Sequence, residues 1–89
     1  MHDSATVKVP AGKLVEVDVT YDDRLTDVRV TGDFFLEPPE RHASLEAALE
    51  GHPADVSRPT LVEAIEAVDA TLIGFDAEHL ADATLEAIR

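Results

Sequence analysis

Between Leu14 and Tyr21 apolar and polar side chains alternate: Val15, Val17, Val19 and Tyr21 fall on one face, Glu16, Asp18 and Thr20 on the other. A period of two is the mark of a strand with one buried face. Asp22-Asp23-Arg24 supplies a turn, and the alternation then resumes with Val28 and Val30 set against Arg29 and Thr31. The pattern predicts an antiparallel hairpin over residues 14–36 whose return arm runs from about Leu25 to Leu36. Within that arm Gly32-Asp33 breaks the alternation just before Phe34 and Phe35. Glycine inside a strand pattern marks a bulge or a close backbone approach, and such a break re-aims the strand. Adjacent side chains on a strand point to opposite faces, so one phenylalanine can fill the domain's own core while the other must be covered by a helix of the same chain or by a partner. Upstream, residues 1–5 read as a loose end. Thr6 to Val9 reads as a short strand at the hairpin's edge, and Pro10-Ala11-Gly12 as a turn or bulge.

Beyond Leu36 the period changes from two to about 3.6. Glu37-Pro38-Pro39-Glu40 is a helix entry, since proline is tolerated in a first turn and acidic groups favour the positive helix end. The helix runs to about Glu50 with Leu45, Ala48 and Leu49 as its apolar stripe and Gly51 just past its end. After a loop from His52 to Pro59, Thr60-Leu61-Val62-Glu63 fits a capping box opening a second helix over about 61–71, with Leu61, Ile65, Val68 and Leu72 at helical spacing. Ile73-Gly74-Phe75 ends it, and Asp76 caps a third helix to about Ile88, with Phe75 and Leu80 spaced as a hydrophobic staple. Strands first and helices after predict an α+β fold: a small antiparallel hairpin or sheet followed by about three helices packed on one face, in one domain over residues 1–89.

Size and charge narrow the function. An 89-residue chain supports one core and buries roughly 60–65% of its unfolded surface. Without cysteine there is neither a disulfide framework nor a thiol nucleophile, which suits a reducing cytoplasm. No apolar run reaches membrane-spanning length and the N-terminus has no signal layout, so a soluble, untargeted protein is expected. Nineteen acidic against seven basic residues give a formal charge of -12, which argues against nucleic acid or anionic membrane as a partner. The acidity is spread along the chain, and the lysines are only Lys8 and Lys13. This composition resembles that of halophilic proteins working in molar salt; a solvated acidic face or a nucleic-acid mimic are the alternatives, the latter usually with denser charge runs. His2, His42, His52 and His79 lack metal-ligand spacing and read as solvated surface groups. There is no phosphate-binding loop and no serine nucleophile elbow, and nothing singles out an acid/base pair among the carboxylates. No catalytic residue, metal or bound cofactor is expected on this chain.

The segment Lys8-Val9-Pro10-Ala11-Gly12-Lys13-Leu14-Val15, the strand and turn to Asp23, and Val30-Thr31-Gly32-Asp33-Phe34-Phe35-Leu36 together resemble the small C-terminal, accessory domain of lipoate–protein ligase. The likeness is strongest over residues 8–51, which end in the Leu-x-x-x-Leu-x-Gly helix terminus; residues 60–88 share only the helical pattern and the Ile73-Gly74 break. In that family a large domain binds lipoate and ATP and carries the catalytic lysine, and the small domain packs against it and is needed for lipoate activation. The resemblance therefore implies an accessory subunit, of the separately encoded archaeal type or as part of a longer ligase, whose partner is a catalytic subunit. The complex would use ATP, Mg2+ and lipoate to form lipoyl-AMP, and would pass the lipoyl group to lipoyl-domain acceptor proteins. The interface or lid residues it points to are Gly32, Asp33, Phe34 and Phe35, with Lys13, and after it Lys8, as candidates to reach the nucleotide phosphates or the partner. For Asp33 a local turn role, and for the lysines a plain surface role, are the alternatives. A stand-alone binding module outside lipoate metabolism and a small enzyme are the competing classes.

The charge yields a first prediction. The screening length falls from about 8 Å at physiological salt to about 3 Å at 1 M, so repulsion among the carboxylates fades. The melting temperature of the isolated chain should rise as KCl goes from 0.1 M to molar concentrations; a flat or falling curve would count against the halophilic reading.

Overall fold

The computed structural model describes residues 1–8, 14–32 and 34–89. Strand β2 (Leu14–Tyr21) is the centre of a three-stranded antiparallel sheet, with β1 (His2–Lys8) on one side and β3 (Leu25–Gly32) on the other. Val15, Val17 and Val19 are fully buried, and Val17 stands between Ala5 and Val30 while Val19 faces Val28. Residues 2–5 of the expected loose end thus belong to a strand. Its signal is faint because only Ala5 and Val7 of β1 turn toward the core, and the solvent face carries His2, Ser4 and Thr6. The proposed turn at Pro10-Ala11-Gly12 lies outside the described residues.

The β2–β3 hairpin forms where the alternation put it, with one adjustment. Thr20 faces Asp27 and Tyr21 faces Leu25, so Thr26 is an extra residue on the β3 side. Such a bulge shifts the phase of a strand. Leu25, Val28 and Val30 can therefore all point inward despite their odd spacing, and all are buried. The Thr26 hydroxyl donates to the Thr20 carbonyl at 3.0 Å, which pins the bulge.

The predicted return arm ends sooner than its sequence pattern. β3 stops at Gly32, and Phe35–Glu37 forms a separate strand, β4, paired not with the hairpin but with β5 (Thr71–Ile73) in a two-stranded ribbon. A 3₁₀ turn over Pro39–Arg41 then leads into α1 (His42–Leu49), with Pro39 in the first turn and Gly51, at φ +84°, past the end. Helix α2 (Arg58–Glu66) starts earlier than the Thr60 capping box suggested: Ser57 is the N-cap and its side chain accepts from the Thr60 N–H. It also ends earlier, because Leu72, which matches the helical stripe, faces Leu36 across the ribbon. Tertiary pairing overrides the local period there. Helix α3 (Ala77–Ile88) begins after Asp76, as expected, with Phe75 and Leu80 both buried.

Helix α3 packs on β1 and β2, and α1 lies beside β3. Alanines at 77, 81, 83 and 87 on the buried side of α3 keep that helix close to the sheet, and the fully buried Thr84 donates its hydroxyl to the Leu80 carbonyl at 2.8 Å. Arg58 ties α2 to α3 by pairing with Asp82 at 2.7 Å and Glu78 at 3.5 Å. The hydrogen bond that Arg58 donates to Asp82, and then the Asp82 charge, hold the guanidinium pKa above its ordinary value; the pair is exposed and contributes little to stability.

The outer edge of β3 is closed by side chains. Glu50 accepts from the Val28 N–H at 3.1 Å and Glu46 from the Val30 N–H at 2.8 Å. His42 Nε2 meets the Val30 carbonyl at 2.6 Å, and a carbonyl only accepts, so this nitrogen carries the proton. At the other end of the strand Leu25 exchanges backbone bonds with His52 and Gly51. Three of the histidines are consequently not the solvated groups expected: His42, His52 and His79 are half-buried, bonded respectively to the Val30 carbonyl, the Ala48 carbonyl and the Asp76 N–H, whereas His2 is exposed, as expected, 3.0 Å from Asp18.

The edge gives a second prediction. Glu46→Ala leaves the Val30 N–H without its acceptor and should cost about 1–3 kcal/mol in urea unfolding. Glu46→Gln, which keeps an acceptor oxygen, should lose less than half as much. Equal losses would show that this bond does not hold the edge.

Candidate functional site

The end of the molecule where β3 runs out is built around Gly32. Its φ is +146°, and a Cβ there would collide with the carbonyl oxygen of Leu14. Any side chain would strain this backbone and wedge β2 from β3. The close approach expected of Gly32 is therefore made within the chain, where it launches the polypeptide off the sheet toward β4.

The two phenylalanines part on either side of that departure. Phe34 turns inward, half-buried against the core, with its ring centroid 4.4 Å from Phe75 and 6.2 Å from His42, both tilted. These are favourable aromatic geometries. Phe35 turns outward and is 70% exposed. Its cross-strand neighbour Ile73 is 42% exposed, and Leu14, next to the residue paired with Gly32, is 41% exposed. Apart from Met1, these are the large apolar side chains left in solvent among the described residues, and all lie at this end. A recess of about 320 Å³ opens beside Phe35, lined by Thr31, Gly32, Phe34, Leu36, Pro39 and His42.

Of the residues singled out in the sequence, Gly32, Phe34 and Phe35 are thus brought together, while Lys13 and Asp33 lie outside the described residues. Lys8 is exposed at the end of β1, opposite Leu14. Sequence reasoning missed Ile73, which reads as a helix breaker until β5 is seen to pair with β4. It also missed His42 and Pro39 as walls of the recess. Among the described residues no cluster of three or more His, Cys, Asp or Glu side chains is placed to hold a metal.

Comparison with known proteins adds one finding. No family model and no curated protein sequence matches the chain. In structure it is similar to a chain of an archaeal lipoylation system, a bi-partite lipoate protein ligase and its E2 lipoyl domain from Thermoplasma acidophilum. The fold is shared. The superposition has a TM-score of 0.75 at 22% identity and covers 94% of each chain, so the two match from end to end rather than over one motif. The α+β class expected from the sequence, an antiparallel sheet followed by three helices, is the class of this structure, with a small second sheet added.

The phenylalanines give a third prediction. Phe34→Ala removes a ring packed on Phe75 and His42 and should lower unfolding free energy by about 2–3 kcal/mol, the lower range for aromatic truncation because the site is half-buried. Phe35→Ala should change it by less than about 0.5 kcal/mol. Denaturant midpoints with unchanged slopes would measure both; equal losses would mean that both rings serve the core.

Proposed function

We propose that the chain is the accessory subunit of a two-chain lipoate–protein ligase, required with a catalytic subunit for ATP-dependent activation of lipoate. The observation that carries this reading is the end-to-end fold likeness to a chain of a bi-partite ligase system. The concentration of exposed apolar side chains at the Gly32–Phe35 end agrees with it, because a subunit that works only in a complex needs a surface to bury. ATP, Mg2+ and lipoate would be bound by the catalytic subunit, and lipoyl-domain proteins would be reached through the complex, in the cytoplasm.

The chemistry gives such a subunit a task. In lipoate activation a carboxylate oxygen attacks the α-phosphorus of ATP, a P–O bond forms, the bond to the β,γ-unit breaks, and pyrophosphate leaves. Two anions must be aligned, the developing charge stabilised, and the mixed anhydride kept from water. A small domain closing over the partner's site supplies alignment and exclusion of solvent. Transfer to a lysine amine starts from the finished anhydride, expels AMP, and must admit a bulky acceptor, so a lid there has to open.

A fourth prediction follows. The catalytic chain alone should transfer lipoyl from preformed lipoyl-AMP, yet release little pyrophosphate from lipoate and ATP until this protein is added, in molar salt. Full adenylation without it would sink the proposal. Stimulation confined to transfer would relocate its role to docking the acceptor. Binding activity unrelated to the ligase would favour a stand-alone module.

A further inference from the structure

The outward face of the β4–β5 ribbon carries two cross-strand pairs, Phe35 with Ile73 and Glu37 with Thr71. Side chains two apart on a strand share a face, so Phe35 and Glu37 project together about 7 Å apart. Leu36 between them points inward and is buried. The face is therefore half apolar and half acidic, and among the described residues Glu37 forms no ion pair. Beside it the recess next to Phe35 has apolar walls in Phe34, Leu36 and Pro39. A second broad depression, between Val7 and Leu85, has Asp82 engaged by Arg58 and Arg89 by the Val56 carbonyl, which leaves Glu86 as the charged group on its wall with no partner among the described residues.

Charge decides what can cover this end. A second copy would set the same face against itself, and that face offers Glu37 no basic side chain, only Phe35, Ile73, Thr71 and a second Glu37. A small molecule would need a concave wall where Phe35 instead stands out as a knob, 70% exposed. A protein surface with an apolar hollow and a basic group fits both halves of the face.

We infer that, if the accessory-subunit reading holds, the catalytic chain presents an apolar socket flanked by a lysine or arginine, and that the contact is reciprocal. Phe35 and Ile73 enter the socket, Glu37 pairs with the basic group, and an apolar side chain of the catalytic chain returns into the recess beside Phe35. Aromatic anchors buried at the centre of an interface dominate its energy, while a charge at its rim governs salt dependence.

The test is calorimetric titration of the catalytic chain with this protein at 0.2 M and 1 M KCl, with lipoyl-AMP formation measured in parallel and melting curves confirming that each variant is folded. Phe35→Ala should weaken binding about 30-fold or more at both salts. Glu37→Lys should weaken it about 5–10-fold at 0.2 M and much less at 1 M, and Glu63→Lys, with the same charge change on the exposed side of α2, should do neither. Thr31→Phe fills the recess while keeping Phe35 and should weaken binding about tenfold. If the wild type binds and stimulates adenylation but Phe35→Ala and Thr31→Phe bind equally well, the inference is overturned and the accessory function stands. If the wild type neither binds nor stimulates, the accessory function itself fails.

Discussion

A three-stranded sheet has two edges, and an unpaired row of backbone donors and acceptors recruits whatever strand is near. The edge of β3 is closed by three side chains of the helical segment after it, Glu46, Glu50 and His42, and by backbone bonds from the loop beyond. This one set of contacts fixes where α1 lies relative to the sheet. It also fixes the bulge at Thr26, because only the shifted phase turns Leu25, Val28 and Val30 inward together while the amides of Val28 and Val30 meet carboxylates. Two glutamates that count toward the chain's acidity are thus structural acceptors.

With that edge occupied, the polypeptide leaving β3 cannot extend the sheet and needs a second pairing. It finds one with Thr71–Ile73, thirty-odd residues on, and the resulting ribbon is too short to be stable in isolation. It is held from beneath by Leu36 and by Phe34 packed at a tilt against Phe75. Anchored on one side only, the ribbon leaves Phe35 and Ile73 in water, so the exposed surface at this end follows from how the core below it is built.

Much of this was legible because the strongest sequence signals coincide with the strongest burial. Val15, Val17 and Val19 alternate and are buried; Leu45, Leu49, Leu61 and Ile65 recur at helical spacing and are buried. What escaped was set by long-range pairing. β1 carries two inward apolar residues in seven, too few for a periodic signal, and gains its order from β2. Leu72 suits a helix by spacing and a strand by partner, and the partner decides. Of the site, Gly32-Asp33-Phe34-Phe35 was visible as a broken alternation, and the opposite facing expected of the two rings is found although Phe34 lies in the connection before β4 rather than on a strand. Which ring faces outward was not visible, since it depends on Phe75, forty residues downstream.

The acidity and the exposed phenylalanine belong to one physical argument. A protein at -12 in dilute buffer attracts cationic surfaces over a long range, but in molar salt the screening length shrinks to about 3 Å and charge ceases to guide anything beyond direct contact. Burial of apolar surface is not screened in this way, and it scales with the area removed from water. An interface that holds equally in dilute buffer and in molar salt is therefore best centred on rings and branched aliphatics, with charge confined to short-range pairing at the margin. The β4–β5 face has this arrangement, with Phe35 and Ile73 at one end of the ribbon and Glu37 one strand repeat away.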